Sequence, residues 1–198
     1  MSVKQMYNVN LHETTVFTNE IKEFVKKNHY SGKCRSLLQK YIFKLEDVSG
    51  KLTGVCIYGL PVSVNARGKY GENILELRKL CLIDDTPKNT ESFFIGKTLR
   101  YLKKNTEYDR IISYADPNMG HEGTIYKASN FEYKGMGKYW NELLLYNDEV
   151  FHKRHMYQKR NGVYAKKSLE LQRALKSGKA ELLPQMPKHI YIYDLKRR

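Results

Sequence analysis

Residues 73–104 read NILELRKLCLIDDTPKNTESFFIGKTLRYLKK, and the hydrophobic period changes in the middle of them. Up to Ile83 the stretch is a crowded apolar strand with Arg78 set inside it. Beyond Pro87, Ile95, Leu99 and Leu102 fall at i, i+4 and i+7, the stripe of a helix, and Asn89 or Thr90 stands where a cap belongs. A further strand, RIISYA (110–115), follows that helix. HEGTIYKASN (121–130) then reads as a short helix ending near Asn130, and KYWNELLLY (138–146) as another strand. Two strand–helix–strand units in succession imply a parallel or mixed portion of sheet.

Upstream, the pattern is antiparallel. MYNVNL (6–11) alternates, with Tyr7, Val9 and Leu11 on one face. TNEIKEFVKKN (18–28) carries Ile21, Phe24 and Val25 at helical spacing, with a start near Thr18. HYSGKCRSLL (29–38) is a loop with room for a short second helix. KYIFKLE (40–46) and LTGVCIYGL (52–60), joined by the turn DVSGK, make a hairpin. PVSVNARGKYG (61–71) reads as a longer loop. Downstream, AKKSLELQRALKSG (165–178) is a helix stopped at Gly178, and HIYIYDL (189–195) is a late strand.

The 198 residues suit one domain with a terminal extension. A hydrophobic fraction of 41% supports a core, and an aromatic fraction of 12%, with 16 tyrosines, argues against disorder. Formal charge is +14, and its placement is uneven: residues 151–198 hold 13 Lys/Arg against 3 Asp/Glu, while the first 150 carry only +4. Such a block, with Tyr157, Tyr164, Tyr191 and Tyr193 among its charges, suits nucleic-acid phosphates; the alternative is a solvated helical segment. Cys34, Cys56 and Cys81 are odd in number and form no CxxC pair, which fits a reducing compartment better than a disulfide framework. The start MSVKQMYNVN lacks an apolar signal core, and no run approaches the ~20 apolar residues of a membrane span, so a cytoplasmic protein with no membrane partner is expected.

The stretch SYADPNMGHEGTIYKASNFEYKG (113–135) is rich in reactive side chains for a strand end, a loop and a short helix. The element order resembles the GNAT-type acyltransferase fold, with the Arg78 strand central and leading into the cofactor helix. Within it, YKASNFEYKG resembles a Y-x-x-x-G-F segment whose tyrosine serves as general acid; Tyr126 is that tyrosine here, and Asn130 stands at the usual glycine. The phosphate-binding loop of that fold has closely spaced glycines, whereas PKNTESFFIG (87–96) does not. NHYSG (28–32), LTGVCIYGLPVS (52–63), ELRKLCLIDDTPKNTES (76–92) and the 113–135 stretch, in this order, resemble the bacteriophage Mom family of DNA-modification proteins. The likeness spans roughly Asn28 to Tyr139.

That resemblance implies an α/β (α+β) fold, a GNAT-like mixed sheet flanked by helices with a basic C-terminal extension. It implies a catalytic domain over 1–150, with 151–198 packed on it and contacting double-stranded DNA. The implied activity converts adenine N6 to a carbamoylmethyl (acetamido) form in phage DNA, in the host cytoplasm, as protection from restriction. Acetyl-CoA and iron are the implied cofactors, although the glycine-poor loop counts against acetyl-CoA. The alternatives are an N-acyltransferase acting on a small amine, a protein or tRNA, and a non-enzymatic DNA-binding module. Oligomeric state is left open, a homodimer included.

Each candidate residue has two readings. His29, followed by Tyr30, is a capping residue, or with the resemblance a base or metal ligand. Arg78 alternates with Glu76 as an outward strand charge, or clamps an anion. Lys88, Asn89 and Ser92 belong to an ordinary capped helix start, or present donors to a phosphate. Ser113 and Asp116 stand at a strand's C-terminal end, where open α/β sheets hold ligands, though Asp116 before Pro117 also starts turns. His121 is a helix cap or approaches the site. Tyr126 packs in the core, or donates a proton to a leaving thiolate. Lys153, Arg154, Lys159, Arg160, Lys166 and Lys167 are the expected DNA contacts.

Overall fold

The structure, a computed structural model, describes residues 6–10, 16–29, 39–138 and 143–196. Strands β1 (Tyr7–Asn10), β2 (Gln39–Asp47), β3 (Leu52–Gly59) and β4 (Ile74–Leu82) pair antiparallel in succession, and β5 (Arg110–Ala115) joins β4 in parallel. With β6 (Glu132–Met136) and the late strand β12 (His189–Asp194) they form one seven-stranded sheet, ordered β1-β2-β3-β4-β5-β12-β6. β4 is its middle strand, as the sequence predicts. Among the described residues the α-helices are α1 (Asn19–Asn28), α2 (Val64–Tyr70), α3 (Thr90–Asn105), α4 (Thr124–Ala128) and α5 (Lys166–Lys176).

Helices cover both faces of this sheet, which is why β3 is buried almost end to end rather than alternating. On one face Phe43, Cys56, Tyr58, Leu75, Leu77 and Ile111 meet Phe94, Ile95, Leu99 and Leu102 of α3. On the other, Ile42, Val55 and Ile57 meet Ile21 and Val25 of α1. Next to them Ile74, Ile112, Ile190 and Ile192 meet Ala66 of α2. Thr18 caps α1, its Oγ1 accepting from the Ile21 N–H at 3.3 Å.

Two expectations change. The stretch 61–71 is not a plain loop, since α2 occupies its middle. With Gly68 inside it, and Ala66 buried in the core with Tyr70 packed partly against it, α2 has little propensity or periodicity to announce it. The strand expected over 138–146 is described only as β7 (Leu143–Tyr146), and β6, which precedes it, is a five-residue exposed edge strand, Glu-Tyr-Lys-Gly-Met, without the alternation that marks a strand. The short helix expected within 29–38 lies outside the described residues.

The chain divides into two compact units. The larger comprises Met1–Ala115, Gly123–Gly135 and Ile190–Arg198 and contains the sheet; the smaller comprises Asp116–Glu122 and Met136–His189. The smaller unit has a three-stranded sheet of β7, β8 (Glu149–His152) and β11 (Glu181–Leu183), ordered β11-β7-β8, and a separate hairpin of β9 (Lys159–Arg160) and β10 (Val163–Tyr164). Its core is Leu144, Met156, Leu171, Ala174 and Ala180, the α5 stripe packed on β7. Charge counted by folded unit is distributed differently from charge counted along the chain. The larger unit holds 24 Lys/Arg and 14 Asp/Glu, a net +10, and the smaller holds 11 and 7, a net +4.

Candidate functional site

In the larger unit the middle strand carries an irregularity. Tyr58 of β3 pairs with Leu77, but its neighbour Ile57 pairs with Lys79, so Arg78 is the extra residue of a β-bulge. Bulges bend a strand and re-aim a side chain. The parallel ladder between β4 and β5 runs from Ile74/Arg110 to Glu76/Ile112, and no pair follows it among the described residues. At that point the Ser113 hydroxyl, fully buried, donates to the Leu77 carbonyl at 3.3 Å and takes the place of a ladder bond. The C-terminal ends of these two strands, with a crossover helix between them, are where open α/β sheets receive ligands.

The turn from β4 into α3 brings Lys88, Asn89 and Ser92 together. Asn89 is left-handed at φ 72° and its side chain makes no cap bond. Thr90 Oγ1 donates to the Pro87 carbonyl at 2.6 Å, and Ser92 Oγ donates to the Asn89 carbonyl at 3.1 Å. The hydroxyls are thus engaged within the turn. The Thr90 N–H donates to the Pro87 carbonyl at 3.1 Å, and Lys88 beside it is exposed.

His29 is the C-cap of α1, its N–H donating to the Val25 carbonyl at 3.0 Å. Its Nδ1 lies 3.4 Å from Lys79 Nζ, which brings it to the strand that carries Arg78. A lysine ammonium has no lone pair, so the imidazole Nδ1 is the acceptor and its proton sits on Nε2. Tyr30 lies outside the described residues.

Tyr126, on α4, is half-buried and clamped between aromatic rings: Phe131 at 5.5 Å and Tyr191 at 5.3 Å between centroids. Gly123 caps α4 at φ 78°, and a Cβ there would stand 2.2 Å from the Tyr191 ring, so only glycine lets the turn lie flush on that ring. Behind Tyr126 is a polar network that the sequence reading missed. Thr98 Oγ1 donates to the Ile95 carbonyl at 2.8 Å, which leaves the Tyr58 hydroxyl as donor in its 2.7 Å bond to Thr98. Burial raises the Tyr58 phenol well above its ordinary value, with Cys56 and Tyr126 adding to the rise, and pushes the Cys56 thiol up to about 12. Both stay protonated at neutral pH. The available signal was the alternation that puts Cys56 and Tyr58 on the same face of β3 as the α3 stripe.

Asp116 belongs to the smaller unit and there starts a 3-10 turn. Its Oδ1 accepts from the Asn118 N–H at 3.1 Å and the Asn118 side-chain amide at 2.8 Å, and its Oδ2 pairs with Lys188 at 3.0 Å. Asn118 in turn bonds both the carbonyl and the N–H of Met186. Burial pushes the Asp116 carboxyl up, but Asn118 and Lys188 outweigh it and hold the group below the usual carboxylate range. His121 is exposed, and its N–H donates to the Asp116 carbonyl.

The expected DNA contacts all fall in the smaller unit. Arg154, Lys159, Arg160, Lys166 and Lys167 are exposed and Lys153 is half-buried. Lys167 is shared between the Tyr146 and Phe151 rings and Glu170. Burial, with Arg154, His155 and Lys188 nearby, holds the His152 imidazole below its ordinary value. Among the described residues no three His, Cys, Asp or Glu side chains converge to hold a metal ion, so the iron implied by resemblance finds no donor set there. No helix of the described residues is long and apolar enough to cross a membrane.

Comparison with known proteins bears on the family and the fold. The Mom protein family matches residues 10–198. The chain belongs to the Mom family. A Mom relative from Escherichia phage Mu, a "methylcarbamoylase", is 31% identical over 120 residues, which cover 56% of this chain and 48% of the relative. The match thus spans about half the length of that relative. Among solved structures, the spermidine/spermine N-acetyltransferase SpeG from Vibrio cholerae has a TM-score of 0.54 at 9% identity, over 98% of this chain and 95% of that one. An acetyltransferase from Acinetobacter baylyi reaches 0.56 at 9% identity over 98% and 95%, and the ribosomal-protein-S5-alanine acetyltransferase from Vibrio fischeri 0.54 at 13% over 97% and 94%. The Mom fold seen here is thus the mixed α/β fold of the GNAT acetyltransferases, as the sequence predicts.

Proposed function

We propose that the protein is a DNA-modifying transferase that converts adenine N6 to its carbamoylmethyl form in phage DNA and so shields that DNA from restriction. The observation that carries this reading is the family match across residues 10–198, with a phage relative named for methylcarbamoyl transfer. Adenine N6 is a weak nucleophile because its lone pair is delocalised into the ring, so a modifying enzyme must orient the amine and relieve it of a proton. It must also take the base out of the stack, at a cost of a few kcal/mol.

The chain has groups suited to both tasks. In our reading Tyr126, ring-clamped and half-buried, is the proton donor. His29, with Nδ1 accepting from Lys79, and the adjacent Tyr30 supply acid–base chemistry near neutral pH. Asp116, ionised at neutral pH, can only accept, as from an adenine amine. Ser113 holds β4 and β5 at the point where their ladder stops. Exposed Arg154, Lys159 and Lys166 meet phosphates, helped by Lys153 and Lys167, and the exposed Arg160 is a further DNA contact.

An acyl-CoA donor fits the turn into α3, and a SpeG neighbour has been solved in complex with CoA and spermine. The α3 first-turn amides, Lys88 and Arg78 would hold its phosphates, with Asn89 and Ser92 shaping the turn. When bound, such a donor would supply a thioester carbonyl with a thiolate leaving group; the CH2–N6 bond and the amide nitrogen of a carbamoylmethyl product call in addition for a two-electron oxidant and a nitrogen donor. The test is restriction of purified DNA from cells expressing the protein, using endonucleases with adenine in their sites. Protection is expected. Complete cleavage, with soluble folded protein present, overturns the reading.

A further inference from the structure

We propose that the β9–β10 hairpin is a sequence-reading ribbon that enters the major groove of duplex DNA, with Arg160 and Asn161 at its tip contacting base edges. The inference rests on the DNA reading above and deepens it by naming which element sets sequence context. The hairpin lies wholly within the smaller unit. Val163 pairs with Arg160 and Tyr164 with Lys159, and the connection between them is Asn161-Gly162 alone. Asn161 at φ 51° and Gly162 at φ 79° give the positive-φ pair of a tight primed turn. The ribbon forms its own two-stranded sheet, and Arg160, Asn161, Gly162 and Val163 are all exposed, Val163 at 69%.

An isolated two-stranded hairpin is marginal in water, so its base needs support. It has that support on α5. The Ala165 N–H donates to the Gln158 carbonyl at 2.9 Å, extending the ladder one step. The Ser168 hydroxyl, buried on α5, lies 2.6 Å from the His155 carbonyl and 3.1 Å from the Gln158 carbonyl, and the Gln172 amide donates to the Met156 carbonyl. Lys159 rests over the Tyr164 ring at 4.7 Å, bracing the two strands. The base is thus fastened while the tip is left to solvent.

Charge and shape say what the tip fits. Residues 150–169 contain six Lys/Arg, two His and not one Asp or Glu. Two strands lie about 4.8 Å apart, and the major groove, about 12 Å wide, admits such a ribbon. Arginine reads guanine O6/N7 and asparagine reads adenine N6/N7, each with two parallel bonds. Both residue types stand side by side at the tip, where folding of the chain itself requires only the turn.

Asn161→Gly separates reading from folding, since glycine keeps the turn and removes the amide. Arg160→Lys keeps the charge and removes the fork. Wild type, both variants and Arg160→Ala are titrated by fluorescence anisotropy against duplexes of varied sequence at several salt concentrations, and modified adenines in cellular DNA are mapped. The expected result is a preferred context that Asn161→Gly and Arg160→Lys relax, roughly tenfold or more on the preferred duplex, with thermal stability unchanged. Arg160→Ala, which removes both fork and charge, relaxes the context at least as far as Arg160→Lys. Wild-type binding with all three variants identical to it in context overturns the inference and leaves the DNA reading standing. Wild type that ignores duplex DNA overturns both.

Discussion

The two units differ in how deeply they bury their tyrosines. In the larger one Tyr58 and Tyr191 go inside, fully buried, with the Tyr58 hydroxyl matched to Thr98, while Tyr133 at the sheet edge is 45% exposed. In the smaller one Tyr157 is 57% exposed and Lys159 lies over Tyr164, so aromatic and cationic groups are presented together. Residue counts cannot separate these uses. Neither can net charge, since the larger unit carries the greater excess, +10, while the acid-free stretch of residues 150–169 belongs to the smaller. What differs is whether strand alternation and helix stripes converge on one core, as in the sheet, or leave a short ribbon with no second layer.

The comparison is broken most forcefully at paired positions. Phe94→Ala in the larger unit should cost about 3–5 kcal/mol in urea or thermal unfolding, because α3 loses its fully buried ring. Tyr157→Ala in the smaller should stay within about 0.5 kcal/mol. Equal losses would show that Tyr157 is a core residue after all.

A subtler pair uses two left-handed glycines. Gly123→Ala drives a Cβ into the Tyr191 ring and should cost about 1–3 kcal/mol beyond backbone strain. Gly120, at φ 73° with nothing within 4 Å of its would-be Cβ, should show only the strain, about 1 kcal/mol. A Gly123→Ala no worse than Gly120→Ala would mean that the α4 turn does not lie flush on Tyr191.

The smallest effect concerns Asp116. Its folded carboxyl is held below the ordinary value, so its bonds contribute stability above about pH 4 and lose that contribution as pH falls through the folded pKa. Lys188→Gln should therefore destabilise by no more than about 1 kcal/mol at pH 7, the pair being partly exposed, and by progressively less below about pH 4. A loss independent of pH would assign Lys188 to packing rather than to the ion pair.

Much of this was legible in the sequence. The period change between Ile83 and Ile95 predicted β4 and α3, and with them the centre of the sheet. Thr18, Asn130 and Gly178 marked helix boundaries because caps and positive-φ residues are local signals. Among the missed elements α2 has Gly68 inside it, β6 is a short exposed edge without alternation, and β9 and β10 are two residues each, although the Asn161-Gly162 turn that joins them is itself a local hairpin signal. The individual bonds of the candidate site were not legible either. That Ser113 bridges to Leu77, that Asp116 is held by Asn118 and Lys188, and that Tyr58 meets Thr98 depend on residues 36, 72 and 40 positions apart at their widest, which only the fold brings together.

Nucleoside mass spectrometry of DNA from cells expressing the wild-type protein, beside Tyr126→Phe, tests the central claim most directly. The account predicts a deoxyadenosine bearing one carbamoylmethyl group in place of a hydrogen for wild type, reduced by roughly 10²-fold or more for Tyr126→Phe. Unmodified deoxyadenosine from cells holding folded wild-type protein, or modification of any base other than adenine, would contradict it.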